Sequence, residues 1–94
     1  MKEERINKLK PIIDGFGEKA QKLKAIEEMS ELSKELCKNI YDAKNHEQIT
    51  EEMADVQIML DQLKIIFNND KAVQEVEKQK IERTYKRLGI ENGS

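Results

Sequence analysis

The chain contains no tryptophan, one cysteine, one proline, four glycines and only 4% aromatic residues. Each shortage excludes something. The single thiol, Cys37, forms no internal disulfide, which removes the disulfide-stapled secreted scaffolds and fits a reducing, cytoplasmic setting. No run approaches the ~18 apolar residues that a membrane span requires. The chain does not open on a basic-then-apolar segment, so no secretion signal is expected. There is no excess of positive charge: 17 basic residues against 19 acidic ones leave a net charge of −2, which argues against a nucleic-acid partner. A glycine-rich phosphate loop and Cys/His metal spacings are also missing, and His46 is the only histidine.

What the chain does have is charge, at 38% of its 94 residues, against 37% hydrophobic residues. Abundant Glu, Lys, Leu and Ile with few helix breakers predict an all-α fold. The length provides one small domain with a thin core. A chain of this kind needs a partner, a metal or a second copy of itself.

Pro11 and the Gly15-Phe16-Gly17 segment are expected to separate a short first helix from the rest. Nothing over residues 18–41 breaks a helix. Residues 42–50, with Asn45 and His46, predict a loop with Thr50 as the N-cap of a second long helix over 51–67. Asn68 and Asn69 predict a turn, with Asp70 capping a last helix that runs to Leu88. Gly89 followed by Ile90 fits a Schellman stop, and Lys86 and Arg87 complement the negative end of that helix. The expectation is a four-helix bundle with two long central helices, one domain over 1–90, and a frayed tail over 91–94.

At 100° per residue, Ala25, Met29, Leu32, Leu36, Ile40 and Ala43 fall on one stripe of the first long helix. Glu28, Glu31 and Glu35 lie beside it. In the second long helix Ile49, Met53, Val56, Leu60, Leu63 and Phe67 form the main apolar face. Glu52 and Asp55 share the flank with Met59 and Ile66, a line that predicts cover on that side and a subunit interface over Met59 and Ile66. Cys37, near the apolar side, is expected to be a buried filler.

The chemistry lies in the acids. Residues three apart on a helix are neighbours, so Glu28/Glu31 and Glu52/Asp55 form two carboxylate pairs, one on each long helix. If the helices pack antiparallel, the four acids converge and repel unless a cation sits among them. All-oxygen ligands select a hard ion, Mg²⁺ or Mn²⁺, and Mg²⁺ on carboxylates takes up substrate phosphates. Spacing alone also fits a solvated acidic surface. On the last helix Lys80, Arg83 and Arg87 make a basic stripe that suits phosphates or, equally, an outer charged face. Lys24 and Gln21 lie one and two turns before Glu28 on its side of the helix, which suits contact with a bound nucleotide or, equally, a plain outer surface.

Glu27-Glu28-Met29-Ser30-Glu31-Leu32, then Glu51-Glu52-Met53-Ala54-Asp55-Val56, followed by Met59-Leu60-Asp61-Gln62-Leu63, resembles the MazG-like nucleotide pyrophosphohydrolases. These all-α enzymes carry EExxE on one helix and ExxD on the next, and the likeness covers roughly residues 16–88. The resemblance implies Mg²⁺-dependent cleavage of a nucleoside triphosphate to the monophosphate and pyrophosphate, in a homodimer or a dimer of dimers. It implies Glu28, Glu31, Glu52 and Asp55 as metal ligands, with Glu31 also the base and Glu27 orienting a ligand or water. Lys80 and Arg83 match the family's C-terminal basic segment. The segment after Asp55 departs from the histidine-containing continuation of phosphoribosyl-ATP pyrophosphohydrolase. A helical interaction protein that keeps the fold without turnover is the other reading.

Overall fold

The computed structural model describes residues 1–91. Among them are four helices and no strand: α1 (Glu3–Phe16), α2 (Glu18–Ile40), α3 (His46–Phe67) and α4 (Asp70–Leu88). Residues 92–94 of the expected tail lie outside the described residues, and Glu91 is exposed without regular structure. None of the helices is long and apolar enough to cross a membrane.

Local chemistry explains the boundaries. Glu3 and Glu4 place negative charge in the first turn of α1. Pro11 lies inside this helix and does not end it. The break falls on Gly17, whose φ of 95° and ψ of 151° belong to a region that only glycine enters without strain. The turns that follow α2, α3 and α4 each hold one residue of positive φ, Asp42, Asn68 and Gly89. At each end the following N–H bonds back to a carbonyl of the last turn: Ala43 to Lys38, Asn69 to Lys64 and Ile90 to Tyr85. The expected Schellman stop at Gly89 is present, and two more use Asp and Asn, the side chains best suited to the left-handed region.

The hairpin loop is shorter than the sequence suggests. α3 begins at His46, not Glu51, and Thr50 is no cap: its hydroxyl bonds the His46 carbonyl inside the helix. Asn45 holds the cap position, and its side chain is drawn elsewhere, donating to the Glu35 carbonyl at 2.9 Å. Asn69, not Asp70, precedes α4; Asp70 is the first helical residue and pairs with the Met1 ammonium.

α2 and α3 form an antiparallel pair that α1 crosses, with Arg5 Nε 3.0 Å from Asp61 Oδ2. α4 touches only α3. The α2–α3 seam is unexpected. Its buried positions are Gln21, Ala25, Glu28 and Glu35 on α2 and Met59 and Gln62 on α3, while Leu9 and Ile13 of α1 complete the core. The apolar stripes that the sequence assigned to the interior are only partly covered: Ala25 is buried and Leu32, Ala43, Ile49, Val56 and Leu63 are half-buried, but Met29, Leu36, Ile40, Met53, Leu60 and Phe67 are exposed. Met59 is covered by its own chain and needs no subunit interface. Cys37 is exposed rather than buried.

Candidate functional site

The seam joins the acids of two helices. Glu28 on α2 and Glu52 and Asp55 on α3 each offer a carboxylate oxygen, and these oxygens lie within 4.8 Å of one another. Heptad arithmetic accounts for the meeting. Gln21 Nε2 donates to Gln62 Oε1 at 2.8 Å, so Glu28, seven residues on, meets Asp55, seven residues back. Glu28 is buried, Glu52 half-buried and Asp55 exposed, so the cluster grades from the seam to solvent.

The electrostatics of the cluster are those of a group short of positive charge. Glu52 Oε2 is buried with no hydrogen-bond partner. Its carboxyl is held above the ordinary range, first because burial strips its water, then because the charges of Glu28, Asp55 and Glu31 face it. Lys24 supplies partial relief, its Nζ 3.0 Å from Glu28 Oε1 and 3.8 Å from Glu27 Oε1. Its pKa is raised by the hydrogen bond to Glu28, then by the charge of Glu27.

Beside the acids opens a cleft of about 570 Å³. Phe16, Leu23, Ile58 and Met59 give it apolar walls, and Lys24, Glu27, Glu28 and Asp55 line its acidic end. Gln21 also lines it. One N–H of the Gln21 amide is committed to Gln62, which leaves its carbonyl oxygen and its second N–H for a ligand.

Most of the predicted site residues meet here: Gln21, Lys24, Glu27, Glu28 and Asp55 around the cleft, with Glu52 behind them. Glu31 is exposed and outside the tight set of three, yet near enough for its charge to act on Glu52. Lys80 and Arg83 are not brought to the acids. They sit exposed on α4, which leaves α3 after the Asn68–Asn69 turn, and Lys80 lines a separate groove of about 670 Å³ along α4. Their common stripe followed from spacing, but the direction of α4 is set by the turn, which spacing does not encode. The sequence missed Gln62, Phe16 and Ile58; the seven-residue step from Asp55 to Gln62 was the available signal for the first.

The three carboxylates suit a hard divalent cation: all donors are oxygen, one is an orphaned buried atom, and the local charge is unbalanced. No protein-family model, curated protein or solved structure matches the chain.

Proposed function

We propose that the protein is a Mg²⁺-dependent nucleoside triphosphate pyrophosphohydrolase of the MazG-like kind, working as a homodimer or a dimer of dimers. The observation that carries this is the meeting of Glu28, Glu52 and Asp55, with a buried, unpartnered Glu52 oxygen, at the mouth of a part-apolar cleft. Carboxylates alone would repel a polyphosphate. A cation held by these three residues makes the cleft attractive to one, and Mn²⁺ would serve as well. When bound, such an ion neutralises phosphate charge and acidifies water.

The chain's own residues do the rest. Phe16, Leu23, Ile58 and Met59 exclude water around the nucleoside, and the Gln21 carbonyl accepts from an N–H of the base. Lys24 exchanges its bond to Glu28 for a phosphate oxygen. Glu31 has no ion-pair partner among the described residues and faces solvent, so it receives the proton of the attacking water, while Glu27 steadies Lys24. Lys80 and Arg83 take part only if a second copy's α4 supplies them.

Two measurements test this. Glu52→Gln should abolish Mg²⁺-dependent pyrophosphate release across a screen of all NTPs and dNTPs while retaining helicity; full activity would overturn the assignment. With the wild type, a ligand at ten times its Kd adds about 1.4 kcal/mol, which for a domain this small raises the thermal midpoint by roughly 6–11 °C. No rise with millimolar Mg²⁺ and a non-hydrolysable dNTP would favour a non-catalytic helical module.

A further inference from the structure

The acids of the cleft already hold a cation of their own. Lys24 Nζ lies 3.0 Å from Glu28 Oε1 and 3.8 Å from Glu27 Oε1, and the charge of Asp55 also acts on it. Among the described residues it is the one basic side chain ion-paired to Glu27, Glu28, Glu31, Glu52 or Asp55. This is not an ordinary helix-stabilising pair. A lysine four residues before a glutamate is the less favourable of the two orders on a helix. Its halves also differ sharply, with the Glu28 side chain 12% exposed and that of Lys24 49%. Glu28 is fixed in the seam, while the ammonium, on a half-exposed stem, is free to swing within the cleft it lines.

The ammonium is an incomplete partner. It reaches Glu27 and Glu28 but leaves Glu52 Oε2 buried without a hydrogen bond. A divalent ion touching Glu28, Glu52 and Asp55 would satisfy all three, and would take the carboxylate to which Lys24 is bonded. An ammonium and a divalent cation a few ångströms apart repel, so each disfavours the other at Glu28. The displaced ammonium then needs an acceptor. A phosphate oxygen in the cleft provides one through a charge-assisted hydrogen bond.

We propose that Lys24 is a resident counter-ion that competes with the divalent cation for Glu28, so that the site holds metal weakly until a nucleotide phosphate draws the ammonium away. Resting on the reading of these acids as a metal centre, this exchange adds a control on it. Metal and nucleotide each tighten the other's binding by the same factor, and Lys24 transmits part of that factor. With the cleft empty, the carboxylates stay neutralised by the chain itself and little metal is held to activate water.

Titration of the full chain with Mn²⁺, followed by the electron paramagnetic resonance of the free ion, reads the exchange without turnover. Lys24→Met keeps the aliphatic stem and removes the charge. Without nucleotide it should bind Mn²⁺ at least about fivefold more tightly than the wild type, the lower end of ordinary coupling between sites. Lys34→Met changes the net charge equally, at an exposed residue of α2 with no ion pair among the described residues. It should bind Mn²⁺ as the wild type does, because salt screens charge at that distance. A non-hydrolysable dNTP should tighten Mn²⁺ binding by a larger factor in the wild type than in Lys24→Met. Mn²⁺ binding that needs Glu52 but is no tighter in Lys24→Met overturns the competition alone, as does an equal gain in Lys34→Met. Binding unaffected by Glu52→Gln, or no binding by wild type and Lys24→Met alike, overturns the metal centre and the competition together.

Discussion

The hydrogen bond between Gln21 and Gln62 gives the sharpest test of how the seam is held. Gln62 is 2% exposed and Gln21 7%, and they meet at 2.8 Å. Gln62→Leu nearly conserves volume, so little cavity forms; the loss is the acceptor for a buried amide nitrogen. An amide left unpaired in that setting costs about 1–3 kcal/mol. Gln21→Leu strands the Gln62 oxygen at a similar cost. Replacing both removes both polar groups, and the double variant should return to within about 1 kcal/mol of the wild type. The cycle would then show a favourable coupling of about 1–6 kcal/mol between the two leucines, the two single losses less the small residual cost of the double variant. Urea unfolding followed by circular dichroism measures it, at one fixed protein concentration because association shifts apparent stability. Two single losses that simply add in the double variant would refute the paired role of these side chains.

Stability should depend on pH through Glu52. Its folded pKa is raised, so its contribution is fully present below the ordinary carboxylate range and disappears as pH rises through the folded value. Without metal, the thermal midpoint should fall across that window, and Glu52→Gln should flatten the profile; an unchanged profile would contradict the crowding of charge. Asp70 has the opposite sign: the hydrogen bond from the Met1 ammonium lowers its pKa, so its contribution is present above the ordinary range and lost as pH falls through the folded value. Asp70→Asn should remove that acid limb in the same melts. Gly17→Ala should destabilise by about 1–3 kcal/mol although nothing lies within 4 Å of the added carbon, because the backbone there is open only to glycine. A neutral result in thermal melts would mean that α1 and α2 re-orient freely.

The number and order of the helices were legible because breakers are few and sit where the chain turns: Gly17, Asp42, Asn68 and Gly89. The start of α3 was not, since Thr50 resembles a cap while Asn45 holds that position with its side chain turned to Glu35. The meeting of Glu28 with Glu52 and Asp55 followed from i,i+3 spacing and an antiparallel arrangement, while Glu31, the other acid of the α2 pair, stays outside the set. The inner face of each long helix was misjudged for a physical reason. Hydrophobicity ranks faces by their preference for leaving water, and it is silent on which neighbour removes them from it. Here much of the broader apolar face lies outside the chain's own interior, and Gln21, Glu28 and Glu35 turn inward. The basic stripe is a different matter: Lys80 and Arg83 lie on α4, which among the helices contacts α3 alone, and neither lines the cleft beside the acids.

The inner contact of α2 and α3 has a consequence for alignment. Two helices joined by aliphatic residues alone can slide by seven residues and find nearly the same packing. These two cannot. A shift of that size would part Gln21 from Gln62, carry Glu28 away from Asp55 and leave Asn45 without the Glu35 carbonyl, each a buried polar loss. The polar residues that weaken this contact as a source of stability thus act as a ruler, fixing which turn of one helix brings its carboxylates to those of the other.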